Sequence, residues 1–322
     1  MVRRRCIQLG FLAGLLTALP AFGQSFPSHA VRLTVPYAPG GSVDLLGRLL
    51  AAKLADGLRQ PVVVENRPGA GGAIGIQAVV NSPPDGHALV ISGNGAVTVN
   101  IHLHKLTYDP LADLTPVGML AKVPIVIAVH PSLPVRSVGE LVFYAKSNPG
   151  TLNFSSNGAG SVAFLGAELL KSLTGISMAH VVYRGGAPGA EALVAGHVQV
   201  GFLDASVVKP FAEVASIRPL AVTSAKRSAI FPDLPTVAEF GWPEFDVTGW
   251  IGLFAPARTP ASIIELLNAH IVEAMSMADL RERILSIQME PAPTTAAEME
   301  RIARAEIMRW GKLIRDANIK AE

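Results

Sequence analysis

The chain has 322 residues, half of them apolar and 16% charged, with 27 basic against 25 acidic residues and a formal net charge of +2. That length suits two domains of ~100–200 residues each. With the charges nearly balanced and no basic block beyond Arg3–Arg5, a nucleic acid or other polyanion partner is not supported.

Residues 1–23 read as an export signal that is removed on maturation. Arg3-Arg4-Arg5 form the basic region, Leu9 to Ala18 the apolar one, and Ala21-Phe22-Gly23 a small-x-small cleavage site before Gln24. The apolar run is shorter than the ~20 residues of a spanning helix and closes at Pro20, which argues against a membrane anchor. The paired arginines fit a twin-arginine route as well as general export. Cys6, the single cysteine, leaves with the signal, so the mature chain has no disulfide, thiolate metal site or cysteine nucleophile. Taking three arginines from 27 leaves 24 against 25 acidic residues, a net charge near −1.

The mature chain begins with Val31, Leu33 and Val35 at strand spacing and Leu46, Leu49, Leu50, Leu54 and Leu58 at helical spacing. Between them lies Pro36-Tyr37-Ala38-Pro39-Gly40-Gly41-Ser42. Gly40 and Gly41 let the backbone approach a ligand, and Ser42 is expected to cap a helix whose free N–H groups attract an anion. The same pattern also serves as a plain tight connection. A near copy follows, Val62–Glu65 and then Asn66-Arg67-Pro68-Gly69-Ala70-Gly71-Gly72, opening a helix to about Val80. Gly69, Gly71 and Gly75 miss the dinucleotide spacing by one residue and lack the later acidic partner, so no nucleotide cofactor is expected.

A strand at His87–Ser92 leads into the turn Ser92-Gly93-Asn94-Gly95. His102 and His104 would share one face of a strand but lack a third ligand, so no metal is expected. Pro124–Val129 reads as a strand and Val138–Ser147 as a helix. A second group of strand–turn–helix units then begins. Its turns are Ser155-Ser156-Asn157-Gly158-Ala159-Gly160-Ser161 and Arg184-Gly185-Gly186-Ala187-Pro188, followed by a strand Val198–Leu203 that ends at Asp204. Pro219–Thr223 and Ile251–Ala255 are further strands. Helices after Thr259 and Thr295 read as outer cladding, the second opened by a capping box with Glu298.

Alternating short strands and helices predict an α/β fold, with one mostly parallel sheet per lobe and the glycine turns gathered at the carboxyl ends of the strands. No Gly-x-Ser-x-Gly elbow, His-Glu-x-x-His or Walker loop is present, which argues against an enzyme. A serine hydrolase built on Ser161 and a scattered histidine is the alternative within that class.

Together, Val35-Pro36-Tyr37-Ala38-Pro39-Gly40-Gly41 with Asp44, Val64-Glu65-Asn66-Arg67-Pro68-Gly69-Ala70-Gly71-Gly72, Pro84-Asp85-Gly86, Tyr108-Asp109-Pro110, Val182-Tyr183-Arg184-Gly185, Leu220-Ala221-Val222-Thr223-Ser224 and Gly252-Leu253-Phe254-Ala255-Pro256 resemble the Bug family. These are the periplasmic solute receptors of tripartite tricarboxylate transporters, and the resemblance covers nearly the whole mature chain. It implies a two-lobed fold of the type II periplasmic binding protein kind. Lobe 1 would comprise 24–124 and 223–322 and lobe 2 125–222, with hinge crossings near Val123–Ile127 and Leu220–Thr223. It also implies a periplasmic monomer that binds a small carboxylate through backbone amides and water, without an arginine clamp, and delivers it to a membrane permease.

The family's cleft contacts fall on Tyr37, Gly40, Ser42, Ser92, Ser156, Asn157, Ser161, Gly186 and Ala187, and Gly41 is expected to join them as a backbone donor of the first turn. Asp204 occupies a place where the family usually has an Asp-Asn pair. Phe164 and Gly249 also depart from the family's usual polar residues, which leaves open whether the ligand is citrate, a C4 or C6 diacid, an amino acid or an aromatic acid. Asp44 reads either as a structural cap or as a contact for a ligand cation. A ligand-dependent sensor docking on a membrane signalling partner would share all these features.

Overall fold

The computed structural model describes residues 26–320 other than Ala159 and Arg184. The expected export signal, with Cys6, lies outside the described residues, as does Arg184. The strands are β1 (Val31–Val35), β2 (Val62–Asn66), β3 (Ala88–Gly93), β4 (Leu114–Val123), β5 (Ile125–Val129), β6 (Asn153–Ser155), β7 (Ala179–His180), β8 (Val200–Asp204), β9 (Arg218–Val222), β10 (Gly249–Pro256) and β11 (Glu290–Pro291). The α-helices are α1 (Ser42–Leu58), α2 (Ala73–Val80), α3 (Asn100–Leu103), α4 (Val138–Ser147), α5 (Val162–Thr174), α6 (Gly186–Val194), α7 (Ala205–Glu213), α8 (Ala261–Ser276), α9 (Ala278–Ser286) and α10 (Ala296–Asp316).

Two sheets form, in the orders β11-β4-β10-β3-β1-β2 and β7-β6-β8-β5-β9. Most strands of each sheet share a direction. The exceptions in the middle, β10 between β3 and β4 and β5 between β8 and β9, are antiparallel to both neighbours. Each is the strand by which the chain enters that sheet from the other lobe, and this arrival reverses its direction. The alternating apolar residues of β1 are fully buried, and Leu46, Leu50, Leu54 and Leu58 of α1 cover them. At Gly75 a side chain would begin 2.8 Å from the Arg67 carbonyl, so α2 packs directly on the loops that precede it.

The first crossing is short, with Pro124 alone between β4 and β5. The second lies later than the expected Leu220–Thr223. Strand β9 still pairs in the second sheet, Val247 N–H donates to Thr223 O at 2.8 Å, and β10 begins at Gly249. Residues 224–247, grouped with lobe 1 by the sequence, therefore pack on the second core through Val237, Phe245 and Val247. Helix α10 belongs to both cores. Met299 is buried in the first lobe, whereas Trp310, Leu313 and Ile314 are buried in the second. Its long amphipathic face looks the same in sequence whichever lobe it covers.

Strand β4 was not expected, because Pro116 and Gly118 interrupt its pattern; β10 pairs with it along its whole length. His102 sits in α3, and its ring donates to the Ile307 carbonyl at 2.7 Å, so it shares no strand face with His104.

Candidate functional site

A cleft of about 380 Å³ opens between the lobes. Its first-lobe wall is the start of α1 with Gly93–Gly95, and its second-lobe wall is the turn before α5 with Gly185 and Asp204. Val123, Ile125 and Gly249–Ile251, at the two crossings, form its back. Residues far apart in sequence meet here because helix starts follow strand ends in both sheets.

Helix α1 is capped by Gly41, not by the expected Ser42. Gly41 is extended (φ −75°, ψ 168°), and Ser42 is the first helical residue, so its hydroxyl is not spent on the cap. The first intrahelical backbone bond is Leu45 N–H to Gly41 O, which leaves the N–H groups of Ser42 and Val43 at the cleft wall. Helix α5 is capped by Ser161, whose Oγ accepts from Phe164 N at 3.1 Å. Gly185 precedes α6 with φ +113°, a conformation that favours glycine and turns the chain sharply at the cleft edge.

Six of the twelve residues singled out from the sequence line the cleft: Tyr37, Gly41, Ser42, Asn157, Ser161 and Asp204. The other six do not. Gly40 is exposed, and its N–H donates to Asp44 Oδ2 at 2.9 Å. Asp44 is buried beneath α1, where it also accepts from Arg48 at 3.0 Å and Asn66 at 2.9 Å. Burial alone would raise its pKa, but these bonds and the Arg48 charge outweigh burial and hold it below the usual carboxylate value. Asp44 is thus a structural brace of the first loop, and a ligand cation has no access to it.

Ser92 is fully buried against the phenol of Tyr37, whose pKa burial raises despite hydrogen bonds with Ser92 and Gly93. Ser156 is also fully buried. Its hydroxyl pairs with His180 Nε2 at 3.0 Å and accepts from Gly158 N at 3.2 Å. Burial among Phe154 and Phe164 pushes the His180 pKa down to about 4, and no described residue partners its Nδ1, so among the described residues this serine–histidine pair lacks both access and an orienting acid. Gly186 and Ala187 open α6 outside the cleft. Gly186 is needed for space, because a side chain there would begin 2.7 Å from Asn157 Oδ1.

Three contributors were missed. Asn94 and Trp250 line the cleft, and both hydrogen-bond to Glu306 on α10, Trp250 Nε1 to Oε1 at 2.9 Å and Asn94 Nδ2 to Oε2 at 3.4 Å. Thr98 Oγ1 lies within donating distance of both the same carboxylate, at 3.1 Å, and Asn94 O, at 2.9 Å, and Asn94 Nδ2 also bonds Thr248 O at the second crossing. Burial raises the Glu306 pKa against the effect of these bonds. The signal was legible, since Met299, Ala303, Glu306, Trp310 and Leu313 follow one helical stripe in which a carboxylate interrupts apolar residues.

Asp204 ends β8 and precedes α7 beside the first crossing, where Ala205 N donates to Pro124 O at 2.8 Å. Its Oδ1 accepts from Asn157 Nδ2 at 2.6 Å, and burial pushes its pKa up to about 6. At acid pH the group is protonated whether the chain is folded or not. As pH rises, the unfolded chain releases its proton first, so the charged carboxylate costs stability increasingly up to about 6 and fully above it. Asp204→Asn keeps the Asn157 bond and should stabilise the unliganded protein by on the order of 2 kcal/mol at about pH 8, a gain that vanishes below about pH 4. Equal melting temperatures of native and variant protein at about pH 8 would mean that the fold compensates the charge.

No Lys, Arg or His lies among the described residues that line the cleft, and no group of His, Cys, Asp and Glu suited to a metal occurs among the described residues. Residues 46–319 match the sequence profile of the tripartite tricarboxylate transporter family receptor. The chain is 36% identical over 312 residues to protein BugT of Bordetella pertussis, covering 96% of each chain. Among solved structures it is similar to an adipate-bound protein of R. palustris (TM-score 0.81, 36% identity, 92% of this chain and 100% of that one). It is also similar to the periplasmic binding protein BugD (TM-score 0.77, 28% identity, 92% and 100%) and to the malate-bound MatC of Rhodopseudomonas palustris (TM-score 0.75, 31% identity, 90% and 100%).

Proposed function

The chain belongs to the tripartite tricarboxylate transporter receptor family, a family of solute-binding receptors and not of enzymes, and on that premise we propose that it is a periplasmic receptor for a small carboxylate. The observation that carries this reading is the cleft, in which helix starts from both lobes present N–H groups and no described cationic side chain competes for the anion. The carboxylates held by the adipate-bound and malate-bound relatives support the ligand class. Export by the signal at 1–23 and delivery, as a monomer, to a membrane permease complete the proposal.

Closure is the step that makes binding readable. A carboxylate bridging both walls interacts fully with the closed lobes alone, and this difference in affinity shifts the population towards them. The crossings at Pro124 and Thr248 are where rotation would be absorbed. Thermal-shift screening of the mature protein against small carboxylates tests the reading, since a ligand at ~100 times its Kd adds ~2.7 kcal/mol of stability. A receptor should also become more compact in solution scattering with its ligand bound. If no carboxylate raises the melting temperature, the reading fails; a stabilising ligand that leaves the scattering curve unchanged would exclude closure.

A further inference from the structure

The cleft offers two kinds of polar group. Backbone donors at Ser42–Val43 and at the start of α5 suit a carboxylate, whereas Asp204 is an acceptor and the one described lining residue with a formal charge at neutral pH. Its Oδ1 holds Asn157, but no described residue bonds Oδ2. Building on the receptor reading, we propose that the ligand is a small carboxylate that also carries a hydrogen-bond donor, an ammonium or a hydroxyl group, and that Asp204 receives this donor.

The argument is one of complementarity. A ligand with a second carboxylate would bring like charges together in a partly desolvated cleft, with no described cationic side chain to separate them. An ammonium or hydroxyl at the same place turns that repulsion into a charge-assisted hydrogen bond. The raised pKa of Asp204 fits this, since its half-buried carboxylate is desolvated with no described counter-charge lining the cleft, and an ammonium would supply one. Asp204 is also well placed to report occupancy, since Ala205, the next residue, bonds the carbonyl of Pro124 at the first crossing.

Calorimetry at about pH 8 on the mature protein tests this with ligands matched in length: succinate against 4-aminobutyrate and 4-hydroxybutyrate, and adipate against 6-aminohexanoate and 6-hydroxyhexanoate. In the better-binding series, a donor-bearing ligand should bind at least ~10-fold more tightly than the diacid, as expected for a charge-assisted bond replacing a repulsion. In Asp204→Asn this ratio should fall to within ~2-fold or invert, because the charge that reads the donor is gone. A diacid that binds native protein as tightly as its donor-bearing counterparts overturns the proposal and leaves the carboxylate receptor intact. So does a preference that survives in Asp204→Asn. Failure of every ligand, simple butyrate and hexanoate included, would instead overturn the receptor reading and this proposal with it.

Discussion

Ser42→Pro should weaken binding of the receptor's carboxylate by about 10–100-fold while leaving the unliganded fold intact. Proline suits the first helical position, where no intrahelical N–H bond is lost and φ is already near the required value. The residue before it, Gly41, has the extended conformation that a following proline demands. What the substitution removes is one N–H at the cleft wall, and a hydrogen bond to a charged group contributes ~1.5–3 kcal/mol, which sets the expected range. Ser42→Ala separates the hydroxyl from the backbone and should cost less than the proline. If Ser42→Pro binds within ~2-fold of the native protein, the start of α1 is not a carboxylate donor, and the anion must sit elsewhere in the cleft.

Glu306→Ala should destabilise the protein by about 2 kcal/mol, even though Glu306 is not part of the cleft lining. The substitution leaves the buried donor Trp250 Nε1 short of its acceptor, and an unsatisfied buried group costs ~1–3 kcal/mol unless it finds another partner. Asn94 Nδ2 retains Thr248 O at 3.1 Å and Thr98 Oγ1 retains Asn94 O at 2.9 Å, so Trp250 accounts for most of the loss. Glu306→Gln, which keeps one acceptor oxygen, should lose about half as much. Chemical denaturation reads the stability, and ligand titration reads whether Asn94 and Trp250 have shifted. A loss below ~1 kcal/mol in Glu306→Ala would mean that Trp250 Nε1 finds another acceptor, and that α10 is not coupled to the cleft.

These two residues mark how far the sequence could be read. Ser42 was identifiable because a strand pattern, a glycine turn and a leucine-spaced helix occur within one short stretch, and the start of a helix fixes where its free N–H groups are. Asp44 was ambiguous for a related reason. A carboxylate in the first turn suits the helix dipole wherever it points, and only the approach of Asn66 from the neighbouring loop, with the Gly40 N–H, made it a brace. Ser92 and Ser156 sit on turns that do reach the cleft region, but their side chains turn inward to Tyr37 and His180, a choice set by packing.

The sequence by itself determined most of the local units: the main strands and helices other than β4 and α3, where glycine turns open helices, and that the cleft loops are poor in basic residues. It determined the family as well, because ordered motifs run through the whole mature chain. The tertiary structure alone decided how the units are shared between the lobes. Residues 224–247 and the end of α10 are apolar enough to cover either core, and hydrophobic burial carries no direction; their place follows from the return of the chain at Thr248. The same holds for Asp204 and Glu306. Both are single carboxylates with no motif around them, and what distinguishes them is burial beside particular partners, Asn157 for one and Asn94, Thr98 and Trp250 for the other. The Asp204–Asn157 contact, 47 positions apart, needs β6 and β8 paired in the second sheet, and the Glu306 contacts, up to 212 positions apart, need α10 packed against the first lobe.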